Sequence, residues 1–149
     1  MRRGLLSIIV SAVLVLAACA DGPYPGAEPA LAPDKARLYV YRGLNPNDSL
    51  LWTTVSLDRR PIGALGPGTV FYRDLPPGMY EIEVQSDQLY PGQFKTVRLV
   101  AGSRTYAEIQ QQPFWGTPSY EWQGSTFLVA IVNPVVGARQ IQRLRLTAG

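Results

Sequence analysis

From Arg37 onward the chain alternates apolar and polar positions with a period of two. Leu38 and Val40 fall on one side of the first run, Tyr39 and Tyr41 on the other. Runs rich in β-branched and aromatic residues follow, giving expected strands at 37–42, 52–57, 69–73, 79–85, 94–100, 105–110 and 126–132. Turn chemistry separates them: Asn45-Pro46-Asn47-Asp48, Asp58-Arg59-Arg60-Pro61, Pro76-Pro77-Gly78, Tyr90-Pro91-Gly92 and Ala101-Gly102-Ser103. Pro76-Pro77-Gly78 makes a rigid turn, after which Tyr80, Ile82 and Val84 face inward against outward Glu81 and Glu83. Seven or so short strands at this spacing predict an all-β fold, a small antiparallel β-sandwich. Near the C-terminus the period is ambiguous. Ala138, Ile141 and Leu144 fit a helix, whereas Ile141, Arg143 and Arg145 would line one face of a strand; we expect a short helix from about Val135 that ends before Arg145.

The first residues follow a different pattern. Met1-Arg2-Arg3 is a short basic head, and an apolar run from Leu5 to Val15 is broken only by Ser7 and Ser11. This is the layout of a secretory signal, and it falls short of the roughly 20 apolar residues a spanning helix needs. Leu16-Ala17-Ala18-Cys19 resembles the lipobox of bacterial lipoproteins. The resemblance implies that Cys19 receives a diacylglyceryl group, that the chain is cut just before it, and that the new amino group is acylated. A thiolate is the nucleophile in that transfer, so neither Ser nor Ala serves at position 19. At about 0.8 kcal/mol per buried methylene, several acyl chains hold a protein stably on a membrane. An ordinary signal peptide with a chance Cys near its cleavage site is the alternative. Ala20, rather than Asp, follows Cys19. By the sorting pattern of enteric lipoproteins this favours the outer membrane over the inner one, facing the periplasm.

Segment 20–33 holds Pro23, Pro25, Pro29 and Pro33 with Gly22 and Gly26, and it has no apolar period. It reads as a polyproline-like spacer with a reach of roughly 40 Å. The expected organisation is a signal peptide over 1–18, the lipidated Cys and Pro-rich tether over 19–34, and one β-sandwich domain over 35–149.

Composition narrows the function. The chain of 149 residues contains no His and one Cys. That excludes Ser-His-Asp and Cys-His catalysis, zinc held by His or several Cys, intrachain disulfides and CxxC redox chemistry. There is no GxSxG elbow, SxxK pair or phosphate-binding GxxxxGK[ST] loop, and the Asp residues lack the spacing of a calcium loop. We expect no enzyme activity, no cofactor and no metal. Loss of 1–18 removes Arg2 and Arg3, so 14 basic residues become 12 against 11 acidic ones. A nearly neutral mature chain gives no argument for nucleic acid as a partner.

Val55-Ser56-Leu57-Asp58-Arg59-Arg60-Pro61-Ile62-Gly63-Ala64-Leu65 is followed by Val70-Phe71-Tyr72 and then by Leu75-Pro76-Pro77-Gly78-Met79-Tyr80-Glu81-Ile82-Glu83-Val84. This order resembles PEGA-type and related bacterial lipoprotein domains. Thr96-Val97-Arg98-Leu99-Val100-Ala101-Gly102, followed by Tyr106, continues the pattern. Leu75-Pro76-Pro77-Gly78 stands where the motif has Pro-Glu-Gly-Ala, and Asp58-Arg59-Arg60 replaces its usual Gly. The resemblance implies a transthyretin-like or carboxypeptidase-regulatory-like sandwich with an accessory, adhesive or scaffolding role.

Three features stand out as candidate sites. Phe114, Trp115, Tyr120 and Trp122 crowd a Gly- and Pro-punctuated stretch, 113–124, that interrupts the strand rhythm. Such rings stack on sugars, fill pockets of a partner protein, dip into lipid headgroups, or fold back over an open end of the sandwich. Glu81 and Glu83 lie on one side of a strand, which suits acid–base glycoside chemistry or simply an outward polar face. Arg139, Arg143 and Arg145 make the C-terminal segment basic, matching anionic lipid, cell-wall carboxylates or solvent. The expected function is therefore a lipid-anchored, non-enzymatic binding or scaffolding module of the cell envelope. Its contacts are the membrane through Cys19 and an envelope protein or peptidoglycan; the alternative is a protein that binds or processes peptidoglycan glycans.

Overall fold

The computed structural model describes residues 22–23, 28–46, 50–86, 92–115 and 122–148. Among these residues, ten strands and one helix follow one another: β1 (Gly22–Pro23), β2 (Ala36–Arg42), β3 (Thr53–Leu57), β4 (Arg60–Leu65), β5 (Thr69–Leu75), β6 (Gly78–Val84), β7 (Phe94–Leu99), β8 (Arg104–Trp115), β9 (Trp122–Val132), α1 (Pro134–Ile141) and β10 (Arg145–Leu146). They form a six-stranded sheet, ordered β1-β10-β5-β2-β8-β9, and a four-stranded sheet, ordered β4-β3-β6-β7. This is the expected β-sandwich with its short C-terminal helix. Within it, β2 pairs with β8 and β10 with β5 in parallel, while the other pairings are antiparallel.

The period of two decides which residues meet. On β2, Ala36, Leu38 and Val40 face the second sheet and join Val55, Leu57, Phe71, Ile82, Val84, Ala107, Ile109 and Phe127 in the main core. Tyr39 and Tyr41 belong to a second core with Val70, Tyr106, Ile141 and Leu144, on the outer face of the six-stranded sheet. Every residue of β2 is therefore buried. The helix makes the second core possible. Asn133 caps it by accepting from the Val135 amide at 3.0 Å, Pro134 opens it, and Gly137 lies so close to Tyr106 that a Cβ would come within 2.5 Å of the ring.

Strand β4 is the element the pattern hides. Arg60-Pro61-Ile62-Gly63-Ala64-Leu65 is a poor strand sequence, but β4 lies at a sheet edge, where proline is tolerated. The hairpin turn before it places Asp58 at φ 48° and Arg59 at φ 65°, the two left-handed positions of a two-residue loop. Asp58 holds that turn to β6, its amide donating to the Glu81 carbonyl and its carboxylate accepting from the Glu81 amide, both at 2.9 Å.

In the six-stranded sheet, the edge strand β9 is partly covered rather than bare. Two of its amides donate outward, Phe127 to the Ser86 hydroxyl and Val129 to the Gly92 carbonyl, each at 2.8 Å. Occupied donors of this kind protect an edge from pairing with another chain.

The Pro-rich segment also contacts the sandwich. Gly22 and Pro23 pair with Leu146 and Arg145, and Glu28 accepts hydrogen bonds from Arg37 and Tyr39. These described residues are attached to the sheet, which shortens the reach expected of a free polyproline spacer.

Candidate binding site

The aromatic stretch is built differently from its sequence reading. Strands β8 and β9 run on into it, so that Phe114 and Trp115 end β8, Trp122 begins β9, and Trp115 and Trp122 are register partners. The expected interruption of the strand rhythm is thereby corrected at 113–115 and 122–124, while 116–121 lie outside the described residues. The ladder continues past Gln110, Gln111 and Gln112, with a register shift between Pro113 and Trp115. Tyr120 and Cys19 lie outside the described residues.

Where this hairpin leaves the sandwich, Arg42 closes the interior. Its guanidinium donates to the Leu51 carbonyl at 2.6 Å and to the Gln111 side chain, and it lies 5.0 Å from the centre of the Phe127 ring. A buried arginine held by carbonyl oxygens and an aromatic face is a cap of the core.

Glu81 and Glu83 do not converge on one cleft. Glu81 is half-buried opposite Thr96, whereas exposed Glu83 lines a depression of about 290 Å³ with Thr54, Ser56 and Gln93. Tyr80, Ile82 and Val84 pack inward as their alternation predicts. Among the described residues no group of three or more His, Cys, Asp or Glu side chains is placed to hold a metal.

Among the described residues a concavity lies on the outer face, where α1 crosses the ends of β2 and β8. It has a volume of about 550 Å³. Leu44, Val136 and Leu144 supply apolar walls, while Tyr41, Glu108, Arg139, Gln140 and Arg143 supply polar groups. Arg139 lies in the last turn of α1 and Arg143 in the turn that follows the helix, and both line the cleft. Tyr41 donates to the Gln140 carbonyl oxygen at 2.5 Å, which leaves the amide nitrogen as the donor Gln140 offers. Burial, with the nearby Glu108 charge adding to it, pushes the Tyr41 hydroxyl well above its ordinary range, so Tyr41 stays a neutral donor. Glu108 accepts from the Gln110 amide at 3.0 Å. An apolar cleft with a few polar groups of both signs is the usual form of a small-molecule site.

At the opposite end of the same face the charges are joined. Arg37 has no exposed surface and donates to both oxygens of Asp74, at 2.6 and 2.7 Å, and to Glu28. Its guanidinium lies 4.3 Å from the centre of the Tyr72 ring. Tyr39, stacked on Tyr106 at 4.8 Å, donates to the same Glu28 oxygen. The paired Asp74 raises the Arg37 pKa, and hydrogen bonding from Arg37 holds the Asp74 carboxyl below the usual carboxylate range.

Sequence reading singled out Arg139 and Arg143 but missed Tyr41, Glu108 and Gln140. Tyr41 and Gln140 are 99 positions apart, and no local spacing links them. The only available signal was Tyr39 and Tyr41 on the face opposite Leu38 and Val40, which called for a cover on that side. No family model, curated protein or solved structure matches the chain.

Proposed function

We propose that this chain is a lipid-anchored lipoprotein of the bacterial cell envelope, acting in the periplasm as a non-enzymatic binding or scaffolding module. The lipobox-like Leu16-Ala17-Ala18-Cys19 after an apolar run supports the anchor, and the similarity of 55–84 to PEGA-type domains supports an accessory role. The observation that carries the reading is the strand order. β1, which begins three residues after Cys19, and β9, which carries the aromatic hairpin, are the two edges of the six-stranded sheet. Five strand spacings separate them, about 24 Å. A lipid at one edge leaves the hairpin at the other free to meet a partner. Ala20 after Cys19 favours the outer membrane as the address.

A second reading, binding of peptidoglycan glycans, draws on the pairing of Trp115 with Trp122 in the hairpin ladder, since aromatic pairs are common platforms for sugars. Photo-crosslinking in cells from position 115, with buried Val84 as control, separates the two. A discrete protein adduct supports the partner-binding module, and an adduct in the sacculus moves glycan recognition to the front. Yield equal to the Val84 control would contradict contact through the hairpin.

A further inference from the structure

We infer that the cleft between α1 and the ends of β2 and β8 takes a phospholipid of the anchoring membrane, one whose head carries both a phosphate and an amine. The inference rests on the envelope reading above and names a ligand for a surface that reading leaves unassigned. Three observations converge on it.

The first is charge. Arg139 flanks the cleft from α1 and Arg143 from the turn that follows it, while Glu108 lines it from β8. Among the described residues neither guanidinium is joined to a carboxylate, in contrast to Arg37. Two arginines suit the paired oxygens of a phosphate diester, and a carboxylate across from them suits an ammonium a few ångströms away. A purely anionic ligand would leave Glu108 opposed, and a purely cationic one would face two arginines.

The second is the apolar rim. Leu44 is 75% exposed and Val136 46% exposed, although both border the cleft. Val135, beside them on the first turn of α1, is 62% exposed. An apolar cleft with charged groups at its sides and an exposed aliphatic lip matches a head group with acyl chains leaving it, and exposed apolar side chains grouped in this way mark a contact surface.

The third is position. Arg143 is two residues before Arg145 of β10, whose register partner Pro23 is four residues after Cys19. Four extended residues span at most about 14 Å, and one strand spacing adds about 5 Å. The headgroup layer holding the anchor therefore lies within reach of the cleft.

The test is photo-crosslinking of the full-length protein in bacterial cells from position 136, with exposed Met79 on β6 as the control, followed by mass analysis of the adduct. We expect a phospholipid with an ethanolamine head at position 136, in at least about fivefold excess over position 79. Arg139→Gln with Arg143→Gln should lower that yield about tenfold, the scale of losing one charged hydrogen bond. Glu108→Gln should shift the adducts from ethanolamine toward glycerol heads. Equal yields at 136 and 79, a peptide adduct, an adduct to the protein's own diacylglyceryl group, or indifference to the double arginine variant would each overturn the inference. Sedimentation of the same cells reports attachment separately. Membrane-bound protein without the lipid adduct removes this inference alone, and a chain that does not sediment with membranes removes the envelope reading as well.

Discussion

The outer face of the six-stranded sheet carries charge at both ends and treats it in opposite ways. At one end Arg37, Asp74 and Glu28 are locked together, Arg37 wholly buried beneath Tyr72. At the other, Arg139, Arg143 and Glu108 border an open cleft and are not paired with one another. A charge withdrawn from water must find its partner within the protein, because leaving it alone costs several kcal/mol. A charge left at a cleft keeps its hydration until something arrives to replace it. The first arrangement holds the fold together, and the second is open to a ligand.

Substitutions at the two ends should therefore differ in what they damage. Arg37→Ala should cost the most, about 3 kcal/mol in urea unfolding, because it strands Glu28 and Asp74. The low end of the range applies because the Asp74 side chain keeps 32% of its surface in water. A loss below about 0.5 kcal/mol would break the comparison. Gly137→Ala should come next, at about 1 to 2 kcal/mol. The added methyl meets the Tyr106 ring and Cβ at 2.5 to 2.8 Å, and that overpacking exceeds the gain in helix propensity.

Acid should act through the paired end. Asp74 titrates lower in the folded chain than in the unfolded one, so the stability it contributes is present above about pH 4. That contribution is lost as pH falls through the depressed folded value, and Asp74→Asn should flatten the acid limb of a stability–pH curve. Burial raises Tyr41 and Tyr106 in the folded state, so their contribution is intact below about pH 10 and declines above it. The smallest effect belongs to the open end. Arg139→Gln with Arg143→Gln should change unfolding free energy by less than about 0.5 kcal/mol, because exposed and unpaired charges contribute little to folding.

How much of this was legible in the sequence follows from the range of each interaction. Alternation at Leu38, Val40, Tyr80, Ile82 and Val84 is a local signal, and those residues are inside as expected. The spacing of Ala138, Ile141 and Leu144 that favours a helix from about Val135 is local as well, and the structure opens that helix at Pro134. β4 escaped notice because Pro61 and Gly63 weaken its propensity and tertiary pairing with β3 supplies what propensity lacks. The parallel pairing of β2 with β8 was invisible because the connection between them contains the whole second sheet and β5. The cleft escaped for the same reason, since Tyr41, Glu108 and Gln140 meet only after β2, β8 and α1 are assembled. Arg37 shows the converse limit: in sequence it is one more polar residue at the start of a strand, and only its register with Asp74 shows why it is buried.

The most direct test of the account is the intact mass of the mature protein recovered from a bacterial membrane fraction. The account predicts a chain beginning at Cys19 and heavier than its sequence by a diacylglyceryl group and an amide-linked acyl chain, with Cys19→Ser abolishing both processing and attachment. An unmodified chain beginning elsewhere, or a Cys19→Ser variant still processed and bound to membranes, would contradict it.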